Sequence, residues 1–129
     1  MTNVKKEEKK MRVKIEGTLT NLTNKTKEVI NTSAIYQKNS LTFYQNGIKN
    51  KLKLTKEEAI LIRENDTFKN NISFSLNKPT ENEYILKEYN NFFLININTL
   101  FLQQTENRIE IKYEVLDSGE IFEYIIEIR

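Results

Sequence analysis

The stretch RIEIKYEVLDSGEIFEYIIEIR, residues 108–129, decides the fold. Over residues 108–116 apolar and charged side chains alternate, with Ile109, Ile111, Tyr113 and Val115 on one face and Glu110, Lys112 and Glu114 on the other. Successive side chains of a strand point to opposite sides of its sheet, so this is a strand with one dry and one wet face. Asp117-Ser118-Gly119 is a turn former, and residues 120–128 then set Phe122, Tyr124, Ile126 and Ile128 on a single face. A hairpin results.

The same period extends outward along the chain. Asn46-Gly47 joins residues 41–45 to residues 48–54, and this dipeptide tolerates the two positive φ angles of a type I′ turn better than others do. Further strands are expected over residues 11–17, 28–36, 68–76, 83–89 and 92–99, with Pro79 in a connecting segment, residues 77–82, where it interrupts no pairing. Thr55-Lys56-Glu57-Glu58 has the T-x-x-E form of a helix capping box, which is compatible with a single helical turn there. The following Ala59-Ile60-Leu61-Ile62 makes no helical stripe, however, and predicts a strand over Glu58–Glu64 buried on both faces. Short strands spaced by about 8 to 12 residues predict an all-β fold, a sandwich or a barrel; the form expected over residues 11–129 is a single antiparallel β-barrel of about eight to ten strands. Residues 1–10, MTNVKKEEKK, read as a flexible charged arm.

Composition sets the bounds on function. A chain of 129 residues that is 38% hydrophobic and 29% charged suits one globular domain. It has no cysteine and no histidine. That removes thiolate nucleophiles, His general bases and zinc sites built from His and Cys. Gly17, Gly47 and Gly119 are its three glycines, too few and too scattered for a phosphate-cradling loop. The net charge of +2 is matched by the lysine excess of the arm, and acids and bases alternate elsewhere, so nucleic acid is not an expected partner. No apolar segment follows the basic N-terminus and no run reaches spanning length, so a cytoplasmic protein without membrane contact is expected.

Few residues could carry chemistry. Asp66, Asp117 and the many glutamates fall at wet strand positions or in turns, which favours a solvated face over a carboxylate active site. Arg63 differs, because it continues the face of Ala59 and Leu61, where a bare charge is costly to bury. It therefore needs a partner. One reading is an anionic ligand in the barrel mouth; the other is a glutamate or the carbonyls of a strand end. Phe43, Tyr44, Phe68, Phe74, Tyr84, Tyr89, Phe92, Phe93, Tyr113, Phe122 and Tyr124 are expected to supply much of the core, with inward tyrosines able to line a pocket. Residues 59–62 and 92–95 are apolar on both faces, an excess that points to an outer cover or a homodimer interface.

From Leu41 onward the chain resembles the YwiB-like family of small bacterial β-barrels. The resemblance lies in Leu41-Thr42-Phe43-Tyr44, Lys53-Leu54, Ala59-Ile60-Leu61-Ile62-Arg63, Phe74, Tyr84, Tyr89-Asn90 and the last hairpin, and Arg63 matches the family's arginine. It implies a calycin or lipocalin-like barrel, of a type that often holds small apolar ligands, with no established activity. Asn65, Asn77 and Asn90 stand where the family usually carries glycine, and Gln45 and Asn46 where acids often follow. Asparagine is the next best residue for left-handed backbone, so those turns are expected to survive.

The expected function is a non-enzymatic barrel binding a small anionic or amphiphilic molecule through Arg63 and Lys53 among Tyr84 and Tyr113. The alternative is an interaction or assembly factor that dimerises through its apolar outer strands. No cofactor, metal or catalytic residue is expected.

Overall fold

The computed structural model describes residues 9–129. Residues 1–8 of the expected arm lie outside the described residues, and Lys9 and Lys10 are exposed. The strands are β1 (Met11–Asn21), β2 (Thr26–Gln37), β3 (Ser40–Gln45), β4 (Ile48–Leu54), β5 (Glu58–Glu64), β6 (Phe68–Ser75), β7 (Thr80–Leu86), β8 (Asn91–Gln104), β9 (Arg108–Val115) and β10 (Ile121–Ile128). Each strand pairs with its chain neighbour, and β1 pairs with β10, so the described residues form a closed antiparallel up-and-down barrel.

Closure follows from a long seam. β1 runs against β10 from Ile15↔Ile128 to Asn21↔Phe122, and backbone bonds from Arg129 N to Lys14 O and from Leu22 N to Ile121 O extend the ladder at both ends. The two backbones approach closely at Gly17, where an added Cβ would strike the carbonyl of Ile125. Glycine is required there by contact rather than by a positive φ.

Turn chemistry agrees with the local sequence. Asn46 and Gly47 both have positive φ, 52° and 76°, as a type I′ turn demands. Lys38 and Asn39 do the same at 53° and 61° without a glycine, because the register of β2 against β3 leaves two residues for the reversal. Of the three asparagines at the family's glycine positions, Asn90 is left-handed, with φ of 48°. Asn65 instead accepts hydrogen bonds at Oδ1 from the backbone of Thr67 and Phe68 and from Thr67 Oγ1, holding the β5–β6 turn by its side chain. The capping pattern at Thr55 has a similar outcome: Thr55 Oγ1 accepts from Glu58 N at 3.1 Å, closing the β4–β5 hairpin with no helical turn.

Three expectations need correction. The segment over 77–82 is not wholly a connection, because β7 begins at Thr80. β8 runs on to Gln104 through a bulge between Thr99 and Phe101, which a strict period of two does not anticipate. β5 is buried on one face, with Ala59 and Leu61 inside and Ile60 38% exposed.

The core comprises Ile15, Leu41, Phe43, Leu52, Leu61, Phe74, Ile97, Ile109, Ile111, Ile126 and their neighbours, all pointing inward. Fully burying each such side chain stabilises the fold by about 1.5 to 3 kcal/mol. The β6–β7 seam is built differently. Its ladder stops after Phe68↔Leu86, Lys69↔Ile85 and Asn70↔Tyr84, and side chains then satisfy the β6 backbone. Buried Asn82 accepts from Ser73 N at 2.8 Å and donates to Ile95 O at 3.3 Å, Thr80 Oγ1 donates to Ser73 O, and Thr99 Oγ1 accepts from Ser75 N.

Two variants test these seams. Gly17→Ala forces β1 away from β10 and is expected to cost about 1 to 3 kcal/mol of unfolding free energy in urea titration. Asn82→Ala leaves the Ser73 N–H without its acceptor and is expected to cost about 1 to 3 kcal/mol in the same measurement.

Candidate functional site

In an up-and-down barrel the hairpin turns gather at two ends. One end carries the β1–β2, β3–β4, β5–β6, β7–β8 and β9–β10 turns, and Arg63, one residue from the end of β5, is set beneath this rim. The alternation that buries Ala59 and Leu61 turns Arg63 inward as well, partly buried. Its register partner on β4 is Asn50, a buried residue, and Arg63 Nε donates to Asn50 Oδ1 at 3.0 Å. The amide is held in turn by Asn50 Nδ2 donating to Ile48 O at 3.0 Å.

No carboxylate pairs with the guanidinium among the described residues. Glu64, the nearest acid in sequence, points outward and meets Lys87 at 2.7 Å, which also donates to Asn65 O. That hydrogen bond holds the Glu64 carboxyl below its ordinary pKa. The other ion pairs join Arg108 to Glu110 and Glu127, and Arg129 to Glu16. Arg63 thus has one amide for a partner, rather than a glutamate or a row of carbonyls.

A cavity of about 200 Å³ opens beside it, lined by Leu19, Leu61, Arg63, Asn70, Ile72, Ile95, Ile97, Tyr113, Val115, Phe122 and Tyr124. β2, β3 and β4 contribute nothing to the lining, since their inward positions carry Ile30, Ala34, Phe43 and Leu52, which are buried in the packed part of the core. Phe74 packs against Tyr113 with ring centroids 5.0 Å apart, and Tyr113 stacks on Phe122 at 5.3 Å. This aromatic row stiffens one wall of the cavity.

The two phenols stay neutral. Burial pushes Tyr113 up to about 12 and raises Tyr124 further, with the Arg63 charge pulling both back in part. An uncharged phenol beside a guanidinium makes a site that is cationic overall, polar at one spot and apolar elsewhere, the pattern of a small-ligand pocket.

Of the four residues expected at a site, the structure brings Arg63 and Tyr113 into one cavity and separates the other two from it. Tyr84 is inward by alternation but stacks on Phe68 with centroids 5.3 Å apart, outside the cavity lining. Lys53 is exposed on the outer face of β4, in a shallow depression with Lys38 and Lys51, because its neighbours Leu52 and Leu54 take the inward positions. Sequence reasoning passed over Asn50, Asn70 and Tyr124 as site residues. Their signal was parity, since each shares the inward face of a strand already recognised as amphipathic. The aromatic core is also smaller than expected: Tyr44, Tyr89, Phe92 and Phe93 are 63%, 72%, 54% and 53% exposed. Tyr44 and Phe92 fall on outward positions, Tyr89 in a turn, and Phe93 near the start of β8, before its pairing with β9 begins at Ile97. Among the described residues there is no group of three or more acids that could hold a metal ion, and no helix long and apolar enough to cross a membrane.

Fold and cavity together define a class: a ten-stranded, closed antiparallel barrel with a small, cationic, mostly apolar chamber beneath one rim. The chain is similar to the ywiB protein from Bacillus subtilis, whose crystal structure matches it with a TM-score of 0.72 at 19% identity, over 96% of this chain and 93% of that one. At that identity the likeness carries the fold alone. No family model and no curated protein matches the sequence.

Burial of the phenols predicts a pH dependence. Below about pH 10 both folded and unfolded phenols are protonated, and the stabilisation from burying them neutral is fully present. As pH rises from about 10 to about 12 the unfolded chain loses phenolic protons that folded Tyr113 retains, so stability falls across that window. Ultraviolet titration of tyrosinate is expected to show two of the six tyrosines ionising late, together with unfolding followed by circular dichroism.

Proposed function

We propose that this protein is a non-enzymatic binding barrel that takes a small anionic amphiphile into the chamber beneath its rim. The observation that carries the reading is Arg63, an inward, partly buried guanidinium that has, among the described residues, one amide partner and no carboxylate, with apolar walls around it. A charge in such a place is costly without a counter-charge, and its planar fork matches a carboxylate through two hydrogen bonds. Fold analogy with calycin-type barrels, which hold small apolar ligands inside, supports the same direction. The absence of His, Cys and glycine-rich phosphate loops is consistent with binding rather than catalysis. Tyr113 is the second contact; Lys53, on the outer face, is left out of the site.

Heteronuclear NMR titration with hexanoate, 1-hexanol and hexylamine tests it. Hexanoate is expected to shift the amides of β5, β6 and β9, the alcohol to bind more weakly and the amine not to bind. Arg63→Gln is expected to weaken hexanoate by about tenfold to a hundredfold, the worth of a hydrogen bond to a charged group. Equal binding of acid and amine, or an unchanged affinity in Arg63→Gln, would sink the reading.

A second reading, a homodimer acting as an interaction or assembly factor, is favoured by Phe92, Leu94 and Phe101 along the outer side of β8, which are 54%, 48% and 40% exposed. Sedimentation velocity over a concentration series distinguishes it, a monomer at every concentration counting against the dimer.

A further inference from the structure

We infer that the head group of the chamber's occupant is a carboxylate clamped between opposite walls of the barrel, with Arg63 on one side and the hydroxyls of Tyr113 and Tyr124 on the other. This rests on the reading of Arg63 as an anion site and supplies two further donors to it. In the ring of ten strands β9 is four steps from β5 and β10 is five, so the phenols stand across the lumen from the guanidinium. Tyr113 is the register partner of Phe122, and Tyr124 is the next inward residue along β10. Diagonal neighbours of this kind are about 7 to 8 Å apart, which sets both tyrosines in one region of the wall. All three side chains line the chamber, and the Arg63 charge reaches both phenols.

The two hydroxyls are unpartnered and reachable. Tyr113 and Tyr124 are 7% and 4% exposed, and neither hydroxyl makes a hydrogen bond among the described residues. Unpartnered side-chain oxygens sealed from all accessible surface occur at Asn70 and Asn71, and the phenol oxygens are not of that kind. They keep a little open surface, and the space beside them is the chamber. A nearly buried hydroxyl without a partner is costly, so an occupant that accepts from both is favoured. Glu28, the acid whose charge reaches Tyr124, lies outside the lining, and its Oε1 accepts from the side-chain amides of Gln45 and Asn46.

The donors select the head group. Arg63 Nε is engaged by Asn50, so its two terminal nitrogens remain, and with the two phenols they make four donor groups. An ionised carboxylate accepts at about four positions on its two oxygens and has no proton to give. Its two oxygens also match the planar fork of the guanidinium. A sulfonate spreads one charge over three oxygens, each a weaker acceptor. A phosphate monoester carries a charge of about −1.5 to −2 at neutral pH, more than one arginine offsets. An ammonium is repelled by the guanidinium where little solvent screens it. The tail of the acid then lies along Leu19, Ile72, Ile95, Ile97 and Phe122.

The test is a titration of the full chain with hexanoate, hexanesulfonate and hexyl phosphate, in the unaltered protein and in Tyr113→Phe, Tyr124→Phe and the double variant. Hexanoate is expected to bind the unaltered protein about tenfold tighter than the other two anions. Each single variant is expected to weaken hexanoate by about tenfold, the loss of a hydrogen bond to a charged group. Without ligand, the urea midpoints of the variants are expected to equal or exceed that of the parent, because each substitution keeps the ring and removes an unpartnered hydroxyl. Hexanoate is also expected to give a tyrosine ultraviolet difference spectrum in the unaltered protein, a readout that needs no variant to fold. Unchanged hexanoate affinity in both single variants, with binding lost in Arg63→Gln, overturns the clamp and leaves the anion site standing. So does hexanoate binding with no tyrosine difference spectrum. Affinity losses that follow a fall in the urea midpoint make the hydroxyls structural and overturn their role as ligand donors. Equal binding of the three anions overturns the carboxylate assignment. Failure of all three to bind overturns both this inference and the reading on which it rests.

Discussion

Closure of the β1–β10 seam is the constraint from which the rest of the structure follows. A sheet with free edges leaves rows of backbone donors and acceptors open, and joining the first strand to the last removes them. Once the ring is closed each strand has one side facing the lumen and one facing solvent, and the parity of every residue has a definite meaning. Gly17 matters for this reason: the seam closes because β1 carries no Cβ where it meets the carbonyl of Ile125. Where the backbone ladder gives out, between β6 and β7, Asn82, Thr80 and Thr99 take over the hydrogen bonding of β6.

Parity also explains how a mostly filled barrel retains a chamber. Large side chains such as Phe43, Leu41, Phe74 and Ile111 pack the lumen over most of its extent. Beneath the rim the inward positions on β5 and β6 carry Arg63 and Asn70 in place of large apolar side chains, and both line the chamber. The same alternation sends Glu64 outward to Lys87, so the acid adjacent to Arg63 in the chain is unavailable to it. A cation is left facing apolar walls and two neutral phenols.

The strands and most of their bounds were legible in the sequence because period-two alternation is a local signal. β4 and β5 are seen where the pattern places them, and the Asn46-Gly47 turn has the backbone angles its residues favour. The start of β7 was less legible, since Thr80 to Asn82 is polar and serves through side-chain hydrogen bonds rather than apolar burial. The extension of β8 was hidden by a bulge that resets its alternation after Thr99. Among candidate site residues, Arg63 was conspicuous as a charge on an apolar face. Asn50 and Asn70 were not, because an asparagine in a strand reads the same whether its neighbours across the sheet are charges, apolar groups or solvent.

The sequence by itself determined an all-β chain, its hairpins, the dry face of each strand, and the exclusion of chemistries that need histidine, cysteine or glycine-rich loops. These are matters of residue type and local spacing. Tertiary structure alone decided that Arg63 meets Asn50 rather than a glutamate, that Tyr113 and Tyr124 share its chamber, and that Lys53 and Tyr84 do not line it. Those outcomes depend on register between strands and on the curvature of a closed ring. Both are set by pairings across the whole chain, as between Asn21 and Phe122, which no local stretch of sequence contains.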